Sequence, residues 1–215
     1  MKYELIIFDW DGTLMDSSAK IVNTMHLASD RLGVARKTDE QVKDIIGISL
    51  QPAIMRLFDT DDASFAQRLA EEYKHVYLQL DQTPCPLFDG AAEVLDRLHV
   101  DRMNMAVATG KARRGLNRAW QQSGTGHYFV ASRCADEAQS KPSPDMLEQI
   151  LSELDIPPQA ALMVGDTEYD MLMAQALGMD RVAVSYGVHD EDRLLACSPV
   201  SVIHHIRELL DVIYP

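Results

Sequence analysis

The sequence predicts an α/β protein: a doubly wound parallel sheet with a small helical-bundle domain inserted after the first strand. Two observations carry that reading. From about residue 86 onward, short apolar runs alternate with helical patterns. Residues 17 to 83 break this rhythm and show helical periodicity alone. Strands that are continuously apolar, alternating with helices, imply a parallel sheet covered on both faces. The expected division is a sheet domain of residues 1–16 and 84–215, with 17–83 as a separate helical module.

The first element is IIFDWDGTLMD (6–16), a central strand running into two aspartates. Asp9 and Asp11 stand two apart, and an extended chain projects such residues to one face. Two unit charges about 4 Å apart repel by roughly 4 kcal/mol at an effective dielectric near 20. Either the chain turns sharply at Gly12 and splays them, or something positive sits between them.

In the insert, Ile21, Met25, Ala28 and Leu32 are spaced 4, 3 and 4 apart. Leu69, Tyr73, Val76 and Leu80 repeat the pattern, with Val42, Ile45 and Ile46 between the two sets. That spacing predicts helices with one buried face. Thr83-Pro84-Cys85-Pro86 marks the return to the sheet. Further strands are expected at 104–110, 128–133, 160–166 and 181–187, with helical segments between them. For the helix carrying Met146, Leu147, Ile150, Leu151 and Leu154, Ser143 is the expected N-cap and Pro144 the first helical residue. Gly178 is expected to stop the next helix.

Composition narrows the class. The chain is 47% apolar and 25% charged, as expected of a globular protein in water. No apolar run approaches the roughly 20 residues that cross a bilayer. MKYELIIFDWDGT reads as a first strand and not as a signal peptide. Cys85, Cys134 and Cys197 are widely spaced with no CxxC, which suits a reducing, cytoplasmic setting better than a disulfide framework. A net charge of −13 disfavours nucleic-acid binding, which needs basic surface.

Ligands of open parallel sheets bind beyond the carboxyl ends of the strands. Those ends carry Asp9 and Asp11, then Thr109-Gly110, then Gly165-Asp166. Asp170 shares a face with Asp166 if a helix starts after Asp166, and Lys141 lies in the loop SKPSP. A cluster of carboxylate oxygens suits Mg²⁺, which uses one or two carboxylates with waters and substrate phosphate. A lysine and a threonine hydroxyl facing it would suit a phosphoryl dianion. Each residue also has an ordinary role. Strand-end aspartates form turns or helix caps, an acid in the first turn favours the helix dipole, and a lysine before proline is commonly solvated. Their order along one sheet is what favours chemistry. Other motifs fail: the phosphate loop needs glycine where Met105 stands, and neither G-x-G-x-x-G nor G-x-S-x-G follows the first strand. His204 and His205, expected on a helix, would point apart and not ligate jointly.

Together DWDGT (9–13), Thr109 after an apolar strand, Lys141 in SKPSPDML and GDTEYDM (165–171) resemble the haloacid dehalogenase superfamily. The resemblance spans nearly the whole chain and is to the phosphatase branch with a helical cap, nearest the phosphoglycolate-phosphatase-like proteins. It implies Asp9 as a nucleophile forming an aspartyl-phosphate, and Asp11 as the acid and then the base. It further implies that Thr109, Gly110 and Lys141 hold the phosphoryl group. Asp9, Asp11 through its carbonyl, Asp166 and Asp170 would hold Mg²⁺. Because Asp11 is present, cleavage of carbon–halogen and carbon–phosphorus bonds is disfavoured, whereas the sugar-phosphate mutase branch keeps both aspartates and stays open. In the same resemblance Gly47 and Ser49 belong to a cap loop that dips toward the phosphate. Lys111, Lys20 and Arg56 are candidate contacts to the substrate, a small-molecule phosphate ester. A phosphoryl-accepting module of the receiver type is the alternative from another class, although its acidic residues end different strands. Oligomeric state, monomer or homodimer, stays open.

Overall fold

The computed structural model describes residues 2–214. Six parallel strands form one sheet in the order β3-β2-β1-β4-β5-β6. They are β1 (Leu5–Phe8), β2 (Asn104–Ala108), β3 (Ala131–Arg133), β4 (Ala161–Gly165), β5 (Asp180–Val184) and β6 (Ser201–Ile203). Between β1 and β2 run α1 (Ser18–Arg31), α2 (Asp39–Asp44), α3 (Leu50–Phe58), α4 (Ala63–His75) and a π-helical turn (Val76–Leu80), followed by α5 (Ala91–Val100). The later crossings use α6 (Arg113–Ser123), α7 (Asp145–Leu154), α8 (Glu168–Gln175) and α9 (Glu191–Ala196), and α10 (Leu209–Ile213) follows β6.

β1 is central because its four residues pair on both sides, Phe8 opposite Val107 of β2 and Val164 of β4. All four are fully buried, and alternation sends them to opposite faces. Ile6 and Phe8 join Met105, Val107, Leu162 and Val164 in a core with Val94, Leu95 and Leu98 of α5. Leu5 and Ile7 join Ala106 and Met163 in a second core with Leu147 and Ile150 of α7 and Met173 of α8. Two covered faces explain why these strands read as unbroken apolar runs.

The insert has a core of its own, in which Met25, Ala28, Val42, Ile54, Leu69 and Val76 meet. Thr38 and Gln41 form a capping box at the start of α2, and Asp62 accepts from the Phe65 N–H to cap α4. Leu80, expected on the buried stripe, is 45% exposed. The π-helical turn is the reason: its i→i+5 bonding shifts the helical phase after Val76.

Other expectations moved. The strand expected over 128–133 begins only at Ala131, because Gly126–Tyr128 is a 3₁₀ turn. Phe129 is spent instead on stacking against Trp120 and meeting Trp10 edge-on. α7 starts at Asp145 with Pro144 as its cap, one residue later than expected. β6 adds an edge strand, and His204 and His205 follow it in a bend, off any helix. Among the described residues no helix is long and apolar enough to cross a membrane.

Ile7 is fully buried at the centre of the sheet, so Ile7→Ala should cost about 2–5 kcal/mol. Urea unfolding with an unchanged slope measures it, and a loss under about 1 kcal/mol would contradict the packing described.

Candidate active site

The sheet's strand order turns back beside β1, which makes the carboxyl ends of β1, β2 and β4 the natural binding crevice. The in-register pairing of Phe8 with Val107 and Val164 brings Asp9, Thr109 and Asp166 to one end of the sheet. The backbone then turns at Gly12, whose φ of +91° lies in the left-handed region. A Cβ there would collide with the Asp166 carboxylate, so the turn needs glycine twice over.

The two aspartates of β1 diverge, and each has its own ammonium group. Lys141 donates to Asp9 Oδ1 at 2.6 Å, with both side chains essentially out of water. Lys111 pairs with Asp11 Oδ2 at 2.9 Å, the two side chains 10% and 11% exposed. The crowding that the DWD spacing raised is resolved by both routes, a turn and paired cations. Lys141 Nζ also donates to Asp170 Oδ1 at 2.6 Å. Burial opposes the charge of Lys141, yet Asp170 and Asp9 hold its ammonium above the usual lysine range.

Asp166 is wholly buried, accepting from Thr13 Oγ1 and from the Val188 N–H, each at 2.9 Å. Burial first, and the charge of Asp170 second, push its carboxyl up to about 7. Asp9 is also pushed well above the carboxylate range by burial, with Lys141 pulling the other way. Asp170 does two jobs: its Oδ2 caps α8 through the Thr167 N–H and hydroxyl while Oδ1 serves Lys141. Thr109 is buried, and its Oγ1 accepts from the Lys111 N–H at 3.1 Å, which leaves the hydroxyl proton for another acceptor.

These side chains fit a divalent cation. Asp9, Asp166 and Asp170 offer carboxylate oxygens within 4.8 Å of one another. Asp9 Oδ2 is buried without a hydrogen-bond partner. With all four ionised, Asp9, Asp11, Asp166 and Asp170 face Lys111 and Lys141 among the described residues, so two further positive charges would balance the set. The Asp11 carboxylate itself turns away from the other three toward Lys111, and its Oδ1 is buried and unpartnered.

The helical insert lies against this crevice. A Cβ on Gly110 would come within 2.5 Å of the Gly47 carbonyl oxygen, so the two backbones touch. The Ser49 N–H donates to Ser140 Oγ, beside Lys141, at 2.9 Å, and Ser49 Oγ is buried without a partner. Lys20 of α1 sits over the Tyr77 ring and donates to the Asp81 carbonyl at 2.7 Å. Arg56 lies elsewhere on the seam, paired with Asp44 at 3.2 Å and over the Tyr169 ring. Sequence reasoning missed Thr13 and Val188, which orient Asp166, and Tyr77, which meets both Lys20 and Lys111. Thr13 was readable as part of DWDGT, but the π turn that holds Tyr77 carries no pattern in the sequence.

Comparison with known proteins agrees with the geometry. A family model described as haloacid dehalogenase-like hydrolase matches residues 6–184. A probable phosphatase, IndB, of Dickeya dadantii is 32% identical over 96% of this chain and 91% of its own length. A phosphoglycolate phosphatase of Vibrio parahaemolyticus is 28% identical over 98% of this chain and 96% of its own. The crystal structure of a haloacid dehalogenase-like hydrolase from Bacteroides fragilis superposes with a TM-score of 0.91 at 24% identity, covering 97% of this chain and all of that one. With the strand-end carboxylates, the two buried lysines and the helical insert all in one chain, the protein belongs to the haloacid dehalogenase-like hydrolase family.

Proposed function

We propose that this protein is a Mg²⁺-dependent phosphatase that hydrolyses a small phosphorylated metabolite, phosphoglycolate or a similar ester, through an aspartyl-phosphate on Asp9. The observation that carries the reading is the Asp9 carboxylate: one oxygen is held by Lys141 and the other is buried with no partner. A carboxylate so placed is oriented, stripped of water and able to attack phosphorus. The relatives named for phosphatase activity support the same chemistry.

In the first step an Asp9 oxygen bonds to phosphorus as the ester P–O bond breaks, and Asp11 gives its proton to the departing alkoxide. In the second, Asp11 takes a proton from water as that water attacks phosphorus. The bond to Asp9 breaks, releasing phosphate and restoring the Asp9 carboxylate and the protonated Asp11. Thr109, Gly110 and Lys141 hold the phosphoryl oxygens, with Lys141 already aligned on Asp9. Asp9, Asp166, Asp170 and the Asp11 carbonyl would hold the cation. Bound there, Mg²⁺ supplies positive charge against the phosphoryl oxygens. Residues 17–83 act as the cap, with Gly47 and Ser49 over the phosphate end. Lys111 and Lys20 lie on the leaving-group side. Arg56, bound at the seam, influences substrate choice only through cap position.

Asp9→Asn should lower turnover of p-nitrophenyl phosphate by about a thousandfold or more while the circular-dichroism melt is preserved. Turnover within tenfold of the parent would sink the nucleophile assignment.

The metal site should also be visible in stability. A carboxyl raised to about 7 keeps its proton in the fold between about pH 4 and 7, where the unfolded chain has lost it. Stability of the metal-free protein therefore falls as pH rises through that window. Mg²⁺ favours the carboxylates, so its shift of Tm should be larger at pH 8 than at pH 5.5. EDTA should abolish both the shift and turnover, reversibly. An equal shift at the two pH values would place the cation elsewhere.

A further inference from the structure

Above Asp11, at the seam between insert and sheet, one aromatic ring meets two lysines from different parts of the fold. Lys20 of α1 and Lys111, just after β2, each place Nζ 4.9 Å from the centroid of the Tyr77 ring. Lys111 Nζ also lies 3.4 Å from the Tyr77 hydroxyl, which accepts from it. Tyr77 is the second residue of the π-helical turn Val76–Leu80 and packs at the edge of the insert's core. The turn is pinned from the sheet side, where Arg118 of α6 donates to the Leu78 carbonyl at 2.9 Å. The ring is backed by Tyr73, stacked at 5.9 Å.

The charges in this pocket do not cancel. Lys111 is matched by Asp11, but Lys20 donates to a neutral carbonyl, that of Asp81. The Asp81 carboxylate is taken up instead by the Thr24 hydroxyl and the Thr83 N–H. Among the described residues no carboxylate lies within ion-pair distance of Lys20 Nζ, in a chain of net charge −13. Neither Tyr77 nor Cys85 adds negative charge. Burial holds the Tyr77 phenol up at about 12 and the Cys85 thiol up at about 11. An ammonium over a neutral ring is retained by the ring quadrupole without being neutralised, and so stays available to an incoming anion.

We propose that Tyr77 is a specificity-determining positioning residue. Its ring gathers Lys20 and Lys111 beside Asp11, so that a leaving group bearing an anionic group is taken in preference to an uncharged one. This rests on the phosphatase reading of Asp9 and Asp11. The polar and ring contacts of Tyr77 are to Lys111, Lys20 and Tyr73, so it acts through the two lysines. The leaving oxygen emerges next to Asp11, so Lys111 stands a short distance beyond it on the alcohol side.

Phosphoglycolate and ethyl phosphate test this, because they differ only by a carboxylate in place of a methyl group. The parent enzyme should favour phosphoglycolate by at least about tenfold in kcat/KM, as expected of cation pairing at a partly desolvated site. Tyr77→Leu should reduce that ratio about tenfold, chiefly by raising KM for phosphoglycolate. Tyr77→Phe keeps the ring and should hold the ratio within about threefold of the parent. Lys20→Met should reproduce the Tyr77→Leu ratio, and the double variant should lower it by no more than about another twofold. Equal losses on both substrates would make Tyr77 a packing residue and overturn the proposal, as would a ratio that Tyr77→Leu does not move. Turnover of p-nitrophenyl phosphate by the parent is the separate check. Its absence overturns the phosphatase reading itself, whatever the ratio does.

Discussion

Everything at the carboxyl end of the sheet is organised by one electrostatic constraint. Asp9, Asp11, Asp166 and Asp170 are all withdrawn from water and, among the described residues, only Lys111 and Lys141 pair with them. Charges that deep persist only when paired or hydrogen-bonded, since breaking a buried pair costs about 3–5 kcal/mol. The chain meets that requirement locally. Thr13, Thr167 and the Val188 N–H each bind a carboxylate oxygen, and Gly12 leaves the room that Asp166 needs. What these donors do not reach is Asp9 Oδ2 and Asp11 Oδ1. The unmet demand thus falls on the two groups proposed for bond making and proton transfer. A site built for stability alone would have distributed it elsewhere.

The same constraint explains why the helical insert sits where it does. Rooted directly after the DWDGT turn, it begins over the crevice, and its return passes through Cys85 beside Asp11 and Lys111. Gly110 lets the loop at Gly47 come down to backbone contact. The insert therefore needs no long connection to reach the chemistry. It also excludes water from carboxylates whose interactions strengthen as the local dielectric falls.

Much of this was legible in the sequence, for a physical reason. A buried parallel strand is an unbroken apolar run, so the small or polar residue that ends it is conspicuous, and Asp9, Thr109 and Asp166 all stand at such ends. Asp170 and Lys141 followed from order along the chain. What stayed hidden depends on tertiary register. β6 is three residues at a sheet edge, too short for a periodic signal. Phe129 reads as strand but stacks on Trp120. The pairing of Asp11 with Lys111 joins residues 100 apart that only the β1–β2 register brings together. Tyr77 was masked by the stripe of Leu69, Tyr73 and Val76, which a helix of constant period would have continued through Leu80.

The seam between insert and sheet domain differs in kind from both cores. Asp44 of α2 accepts from Arg193 at 2.6 Å and from Arg56 at 3.2 Å, and its carbonyl accepts from the Tyr169 hydroxyl at 2.9 Å. Arg193 also reaches Glu168 at 2.7 Å. The ion-paired side chains are roughly a third to a half exposed, whereas Tyr169 is buried, and such exposed pairs contribute about 0–1 kcal/mol each. Val188 of the sheet domain packs against the insert's apolar core. An interface of this composition orients two bodies without welding them, because water replaces its polar contacts at little cost. The proposed turnover needs a path past the Gly110–Gly47 backbone contact for the ester to enter and the alcohol to leave. The weakness of the seam is thus matched to the tightness of the closure.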